Sequence, residues 1–136
     1  MRGRILPACG AINMALSFIM AGCSHPANSY EVGAINLTNE DLADVAFHSR
    51  TVNSGFGVLR QGTDFQKTMG IYSVPLPPVG TVEWTTPDGV QHSASATIPP
   101  KPVPFDGILW LKIMPDGSVV AVPLTGKEYY DQHLMP

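Results

Sequence analysis

The chain has 136 residues, 8 basic and 11 acidic, for a net charge of −3, with 44% hydrophobic and 14% charged residues. That length fits one domain able to bury a real core. The acidic balance gives no electrostatic case for nucleic acid or an anionic lipid surface, and is also what ordinary solubility would produce.

Arg2 and Arg4 form a short basic head, Ile12 to Met20 is mostly apolar, and Met20-Ala21-Gly22-Cys23 places two small residues before a cysteine. Signal peptidases need small side chains before the cut, and the lipoprotein-specific one needs the cysteine directly after it. The segment therefore predicts a lipoprotein signal over residues 1–22, cleavage between Gly22 and Cys23, and lipid on Cys23. The alternatives are a spanning helix and an ordinary secretory signal. Against the helix, Pro7, Gly10 and Asn13 break a run far shorter than the roughly 20 residues a span needs. Cleavage would leave 6 basic against 11 acidic residues, a net charge of −5. Cys9 would depart with the signal and Cys23 would carry lipid, so no disulfide is expected and the core alone must hold the fold.

Residues 23–29 read as a polar lipidated tether, and Ser24 after the cysteine resembles the outer-membrane-directed type of lipoprotein. A β-domain is expected over residues 30–125. Tyr30 to Leu37 is an extended β-rich run, and Asn39 to Leu42 is a polar connection. Ala43 to Thr51 alternates, with Ala43, Val45 and Phe47 on one face and Asp44, Ala46, His48 and Arg50 on the other. Asn53 to Asp64 holds three glycines and reads as a long loop around a weak strand at Val58-Leu59.

Met69 to Val74 is a predicted strand closed by prolines, and Thr81 to Thr86 turns Val82 and Trp84 inward. Pro87-Asp88-Gly89 is a turn, after which Val90 to Ile98 sets Val90, His92, Ala94, Ala96 and Ile98 against Gln91, Ser93, Ser95 and Thr97. Pro99 to Pro104 must be an extended connector, because proline cannot donate to a sheet ladder. Ile108 to Met114 and Ser118 to Leu124 flank Pro115-Asp116-Gly117 as a hairpin. Trp84 and Trp110 read as core or inter-sheet residues; the alternative for Trp110, which shares a strand face with Lys112, is partial exposure as a contact surface. Residues 126–136 read as a loosely attached polar tail. Short strands punctuated by Gly and Pro predict an all-β, immunoglobulin-like antiparallel sandwich of about seven strands, with a small barrel as the alternative.

Chemistry-bearing patterns are sparse. No G-x-S-x-G elbow is present, and Ser54 between Asn53 and Gly55 reads as loop chemistry. His25, His48, His92 and His133 are mutually isolated and lack metal-ligand spacing. Acids sit in turns that already explain them, Asn36-Leu37-Thr38 reads as a strand end, and no glycine loop precedes a helix. No enzyme activity, cofactor, metal or nucleic-acid partner is therefore expected. Asp64, Asp106 and Glu128 are candidate contacts to a basic protein partner.

The segments AINLTNEDLADVAFH, VPLPPVGTVEW and LWLKIMPDGSVVAV, spread over Ala34 to Val122, resemble a family of small bacterial lipoproteins. Members of that family are immunity proteins against type VI secretion phospholipase effectors. The family's glycine-rich segment with paired cysteines is replaced here by Met69-Gly70-Ile71-Tyr72-Ser73, so no functional residue carries over. The resemblance implies a periplasmic, membrane-anchored immunity protein that occludes a lipase. The competing expectation is a structural or accessory envelope lipoprotein, with a small hydrolase as a third.

Overall fold

A computed structural model describes residues 27–62, 65–67 and 71–133. The segment expected as a signal (with Gly22), Cys23 at the expected lipidation position, Ser24, Asp64, Met69 and Gly70 lie outside the described residues. Eight strands and one helix follow in order: β1 (Ser29–Asn36), β2 (Leu42–His48), β3 (Asn53–Leu59), β4 (Phe65–Lys67), β5 (Val79–Thr85), β6 (Gln91–Thr97), β7 (Asp106–Ile113), β8 (Val119–Thr125) and α1 (Gly126–His133). They build an immunoglobulin-like sandwich of two sheets, ordered β4-β1-β7-β8 (sheet A) and β3-β2-β5-β6 (sheet B). No barrel closes among the described residues. Pairing is antiparallel except between β1 and β7, which run parallel over their full lengths.

The core lies between the sheets. Alternation sends Tyr30, Val32 and Ala34 inward from β1, and Leu109, Leu111 and Ile113 inward from β7. Val82 and Trp84 enter from β5. Both PDG turns form as the sequence indicates, with Gly89 and Gly117 at positive φ. Ala96 and Ile98 join the core from β6, but Val90 and His92, on the same face, lie beyond its end and are exposed.

Four expectations are corrected. In β2 the buried set is Leu42, Val45 and Phe47, because a bulge at Ala43–Asp44 shifts the pairing by one residue; Asp44 has φ 52. The segment expected as a loop from Asn53 is strand β3. Its outward positions hold Gly55 and Gly57, while Ser54, Phe56 and Leu59 are buried. The strand expected at Met69–Val74 is reduced, in its described part, to one bridge between Tyr72 and Tyr30.

The tail correction matters most. Residues 126–133 form α1, which packs on the outer face of sheet A and leaves Trp110 4% exposed, so the alternative of a contact surface at Trp110 falls away. Ile108, Trp110 and Leu124 make a second apolar cluster there with Ile35, Val122 and Tyr129. Gly33 opposite Trp110 makes room for the indole, since a Cβ at that position would stand 2.4 Å from the ring. The helix begins with a reciprocal cap: Glu128 N–H donates to Thr125 Oγ1 (3.0 Å) and Thr125 N–H to Glu128 Oε1 (2.8 Å). Lys101 Nζ donates to the same carboxylate at 2.6 Å, clipping the proline connector to the helix.

Candidate functional site

Strand registers sort the loops into two ends. The chain enters β1 at Ser29, beside Asp106 of β7, and Gly107 pairs with Thr125, where α1 starts. The same end carries the β2–β3 turn, the segment preceding β5 and the proline connector. The opposite end gathers the β1–β2 turn, both PDG turns, the Arg60–Gly62 stretch after β3, and the Asp44 bulge.

A cleft of about 420 Å³ opens at this far end, lined by Asp44, Glu83, Trp84, Thr85, Gln91, His92 and Ser93. The bulge supplies Asp44, one of the few residue types that tolerate the left-handed region. The β5–β6 hairpin supplies the rest. Trp84 and His92 are register partners and stack with ring centroids 5.7 Å apart and planes 12° from parallel. Thr86 Oγ1 ties the tip together, with Asp88 Oδ1 at 2.5 Å and His92 Nε2 at 3.1 Å. With its proton given to Asp88, the hydroxyl accepts from the imidazole. The acid thus holds the hydroxyl rather than the ring, the reverse of the order that activates a nucleophile. The Thr86 and Val90 hydrogen bonds hold the Asp88 carboxyl below the usual carboxylate range. Asp116 is held low in the same way by Ser118.

No family model matches the chain, and neither does any curated protein. Among solved structures, the chain is similar to an NMR structure of a protein from Eubacterium rectale, with a TM-score of 0.46 and 12% identity. The match covers 78% of this chain and 98% of that one.

The sequence candidates do not converge. Asp106 is exposed at the entry end, and Asp64 lies outside the described residues. Glu128 is also at the entry end, where its carboxyl is held down to about 2, chiefly by Lys101 and then by the Thr125 N–H. Ser54 is buried and bonds Tyr72 Oη at 2.6 Å, while that phenol donates to the Asn53 carbonyl at 2.8 Å. Its hydroxyl proton therefore goes to a phenol, with no base beside it. His48 stands 3.6 Å from Glu83, too long for a hydrogen bond, with both side chains half exposed. His25 and the His133 side chain lie outside the described residues. Among the described residues no group of three His, Cys, Asp or Glu could hold a metal, and no helix is long and apolar enough to cross a membrane.

Two features escaped sequence reasoning. Asn36 is fully buried, so it cannot serve as a glycosylation acceptor. Its Nδ2 donates to the Glu40 and Leu59 carbonyls, and its Oδ1 accepts from Thr38 N–H and Oγ1–H, joining the end of β1 to the end of β3. Only the Asn-x-Thr spacing, read as a local turn motif, hints at this. The Asp44 bulge left a trace in Leu42 and Val45, two apolar residues three apart in a strand whose period is two.

Proposed function

We propose that this chain is a membrane-anchored immunity lipoprotein that binds and blocks a type VI secretion phospholipase effector at the periplasmic face of the outer membrane. The observation that carries the reading is the polarity of the sandwich: the chain enters at one end, and the turns and cleft gather at the other. A lipid on Cys23, six positions before Ser29, would hold the entry end within roughly 20 Å of the bilayer at 3.3–3.6 Å per residue. The far end would then face an incoming enzyme. Turns on a rigid sheet are suited to wedging into a cleft. Occluding a lipase active site would bury on the order of 1,600 Å² in total.

The lipoprotein signal and the family resemblance support the location and the partner class. The far end, with Glu40, Asp44, Asp88 and Asp116, takes over from Asp106 and Glu128 as the proposed contact surface. The test mixes the full chain with any phospholipase encoded beside its gene and follows lipid hydrolysis. Stoichiometric inhibition is expected, weakened more than tenfold in an Asp88→Lys, Asp116→Lys double variant and unchanged in the entry-end variant Arg50→Glu. A lipase that stays uninhibited and unbound would overturn the reading.

A further inference from the structure

Among the described residues four strands lie at sheet edges, and three of them are guarded. β4 is three residues long, β8 carries Pro123, and β3 is bulged at Gly57, which has φ 69. β6 has none of these devices. Gln91–Thr97 contains no charge, proline or glycine, and it pairs with β5 through seven consecutive residues without a register shift.

Two hydrogen bonds fix the phase of that ladder. Thr86 N–H donates to the Val90 carbonyl at 3.0 Å, and Ile98 N–H to the Pro78 carbonyl at 2.9 Å. In an antiparallel pair, directly opposed residues alternate between those that exchange hydrogen bonds and those that do not. Val90, His92, Ala94, Ala96 and Ile98 therefore turn their amides and carbonyls to β5. Gln91, Ser93, Ser95 and Thr97 turn theirs to the open edge, and their exposed side chains sit on the outer face.

We propose that a second copy of this chain pairs with this edge, β6 to β6, antiparallel about a twofold axis at Ala94. The edge is complementary to itself. In the fully overlapped register Gln91 meets Thr97 and Ser93 meets Ser95 of the second copy, every outer-face pair being polar and uncharged. On the inner face Ala94 meets Ala94, and His92 meets Ala96. No like charges oppose each other, and hydroxyl pairs at these positions are favourable. Four residues on each side supply roughly eight backbone hydrogen bonds. The two sheets B become one continuous sheet, an isologous interface that closes on itself and leaves only the guarded edges β3, β4 and β8 unpaired. This inference does not rest on the proposed function: it is read from the β6 ladder alone, and the antiparallel pairing sets the far end of each copy beside the entry end of the other.

Site-directed cross-linking of the full chain tests it. Ala94→Cys places two thiols on the axis at a non-hydrogen-bonded pair, where Cα atoms are about 4.5 Å apart and a disulfide fits. Mild oxidation should give a covalent dimer, whereas Val120→Cys, exposed on β8, should not. Ser95→Pro removes an edge-facing N–H and leaves the β5 ladder intact. It should weaken self-association at least roughly tenfold in sedimentation of the purified chain in detergent. Ser95→Lys should do the same by charge repulsion, and Ser95→Ala should not, which separates loss of pairing from loss of folding. Equal cross-linking at Ala94→Cys and Val120→Cys, or an unaltered mass distribution in both Ser95→Pro and Ser95→Lys, would overturn the pairing. So would a monomeric wild type whose Ser93 and Ser95 amides become protected only when another protein is added, an outcome that would give the edge to that protein's strand.

Discussion

Between the sheets Phe47, Leu109 and Leu111 are wholly excluded from water, whereas on the outer face of sheet A Ile108, Trp110 and Leu124 keep 4–8% of their surface. The inner cluster is closed by two sheets of four strands each and loses nothing if one loop moves. The outer cluster is closed by one eight-residue helix whose apolar contribution is chiefly Tyr129, its ring centroid 6.1 Å from that of Trp110. A helix that short is not stable by itself. What holds it is the reciprocal cap at Thr125 and Glu128, the Lys101 clip, and the space Gly33 leaves for the indole. The difference separates a part of the molecule that unfolds only with the whole from a part that can open locally.

The sharpest test of the contrast is Phe47→Ala. It should cost about 3–5 kcal/mol in chemical denaturation, because a fully buried ring leaves a cavity that two sheets cannot collapse around. A loss below about 1 kcal/mol would put the inner cluster on a par with the outer one. Next, Asn36→Ala should cost about 2–3 kcal/mol in the same measurement. It strips partners from the Leu59 and Glu40 carbonyls at the seam between sheets. Gly33→Ala should cost about 1–3 kcal/mol by pushing the Trp110 ring outward. Tyr129 and Leu124 should become more accessible, while hydrogen exchange in β2 and β5 stays unchanged.

Smaller again is the effect of acid on the helix. The Glu128 carboxyl is held at about 2 against an ordinary 4.5, so its folded form is the stronger acid. Its stabilising contribution is complete above about 4.5 and is lost as pH falls toward 2. Amide exchange in residues 126–133 should accelerate over that window before the sheets respond, and Glu128→Gln should remove the pH dependence. The smallest effect belongs to Lys127→Ala. Its 2.7 Å pair with Asp131 is exposed, so no measurable change in Tm is expected.

The same contrast explains what the sequence disclosed. Strands facing the inner cluster alternate along most of their length, so β5, β7 and β8 and their turns were legible from period two and PDG signals. β2 and β3 were blurred where bulges at Asp44 and Gly57 let the apolar residues skip a position. The outer cluster left no periodic trace: Gly126–His133 is polar, and its burial of Trp110 depends on Gly33, a residue 77 positions earlier. The T-x-x-E spacing of Thr125 and Glu128 was the available cue, because it marks a helix start irrespective of hydropathy. The far-end cleft was invisible for a similar reason. It is assembled from a bulge on β2 and a hairpin on β5–β6, which only the sheet register brings together.

The stacked Trp84–His92 pair and the roofed Trp110 also give the molecule its own optics. The chain has two tryptophans. One indole lies against the His92 imidazole at the far end, and the other lies under α1. An imidazole stacked on an indole alters its emission, so the intensity of the Trp84 band reports whether the Trp84–His92 stack is intact. The wavelength of the Trp110 emission reports whether the helix is down, since it reddens when water reaches the ring. With Trp84→Phe and Trp110→Phe variants to assign the bands, a single unlabelled sample can follow an event at the cleft and an opening at the helix as separate colours.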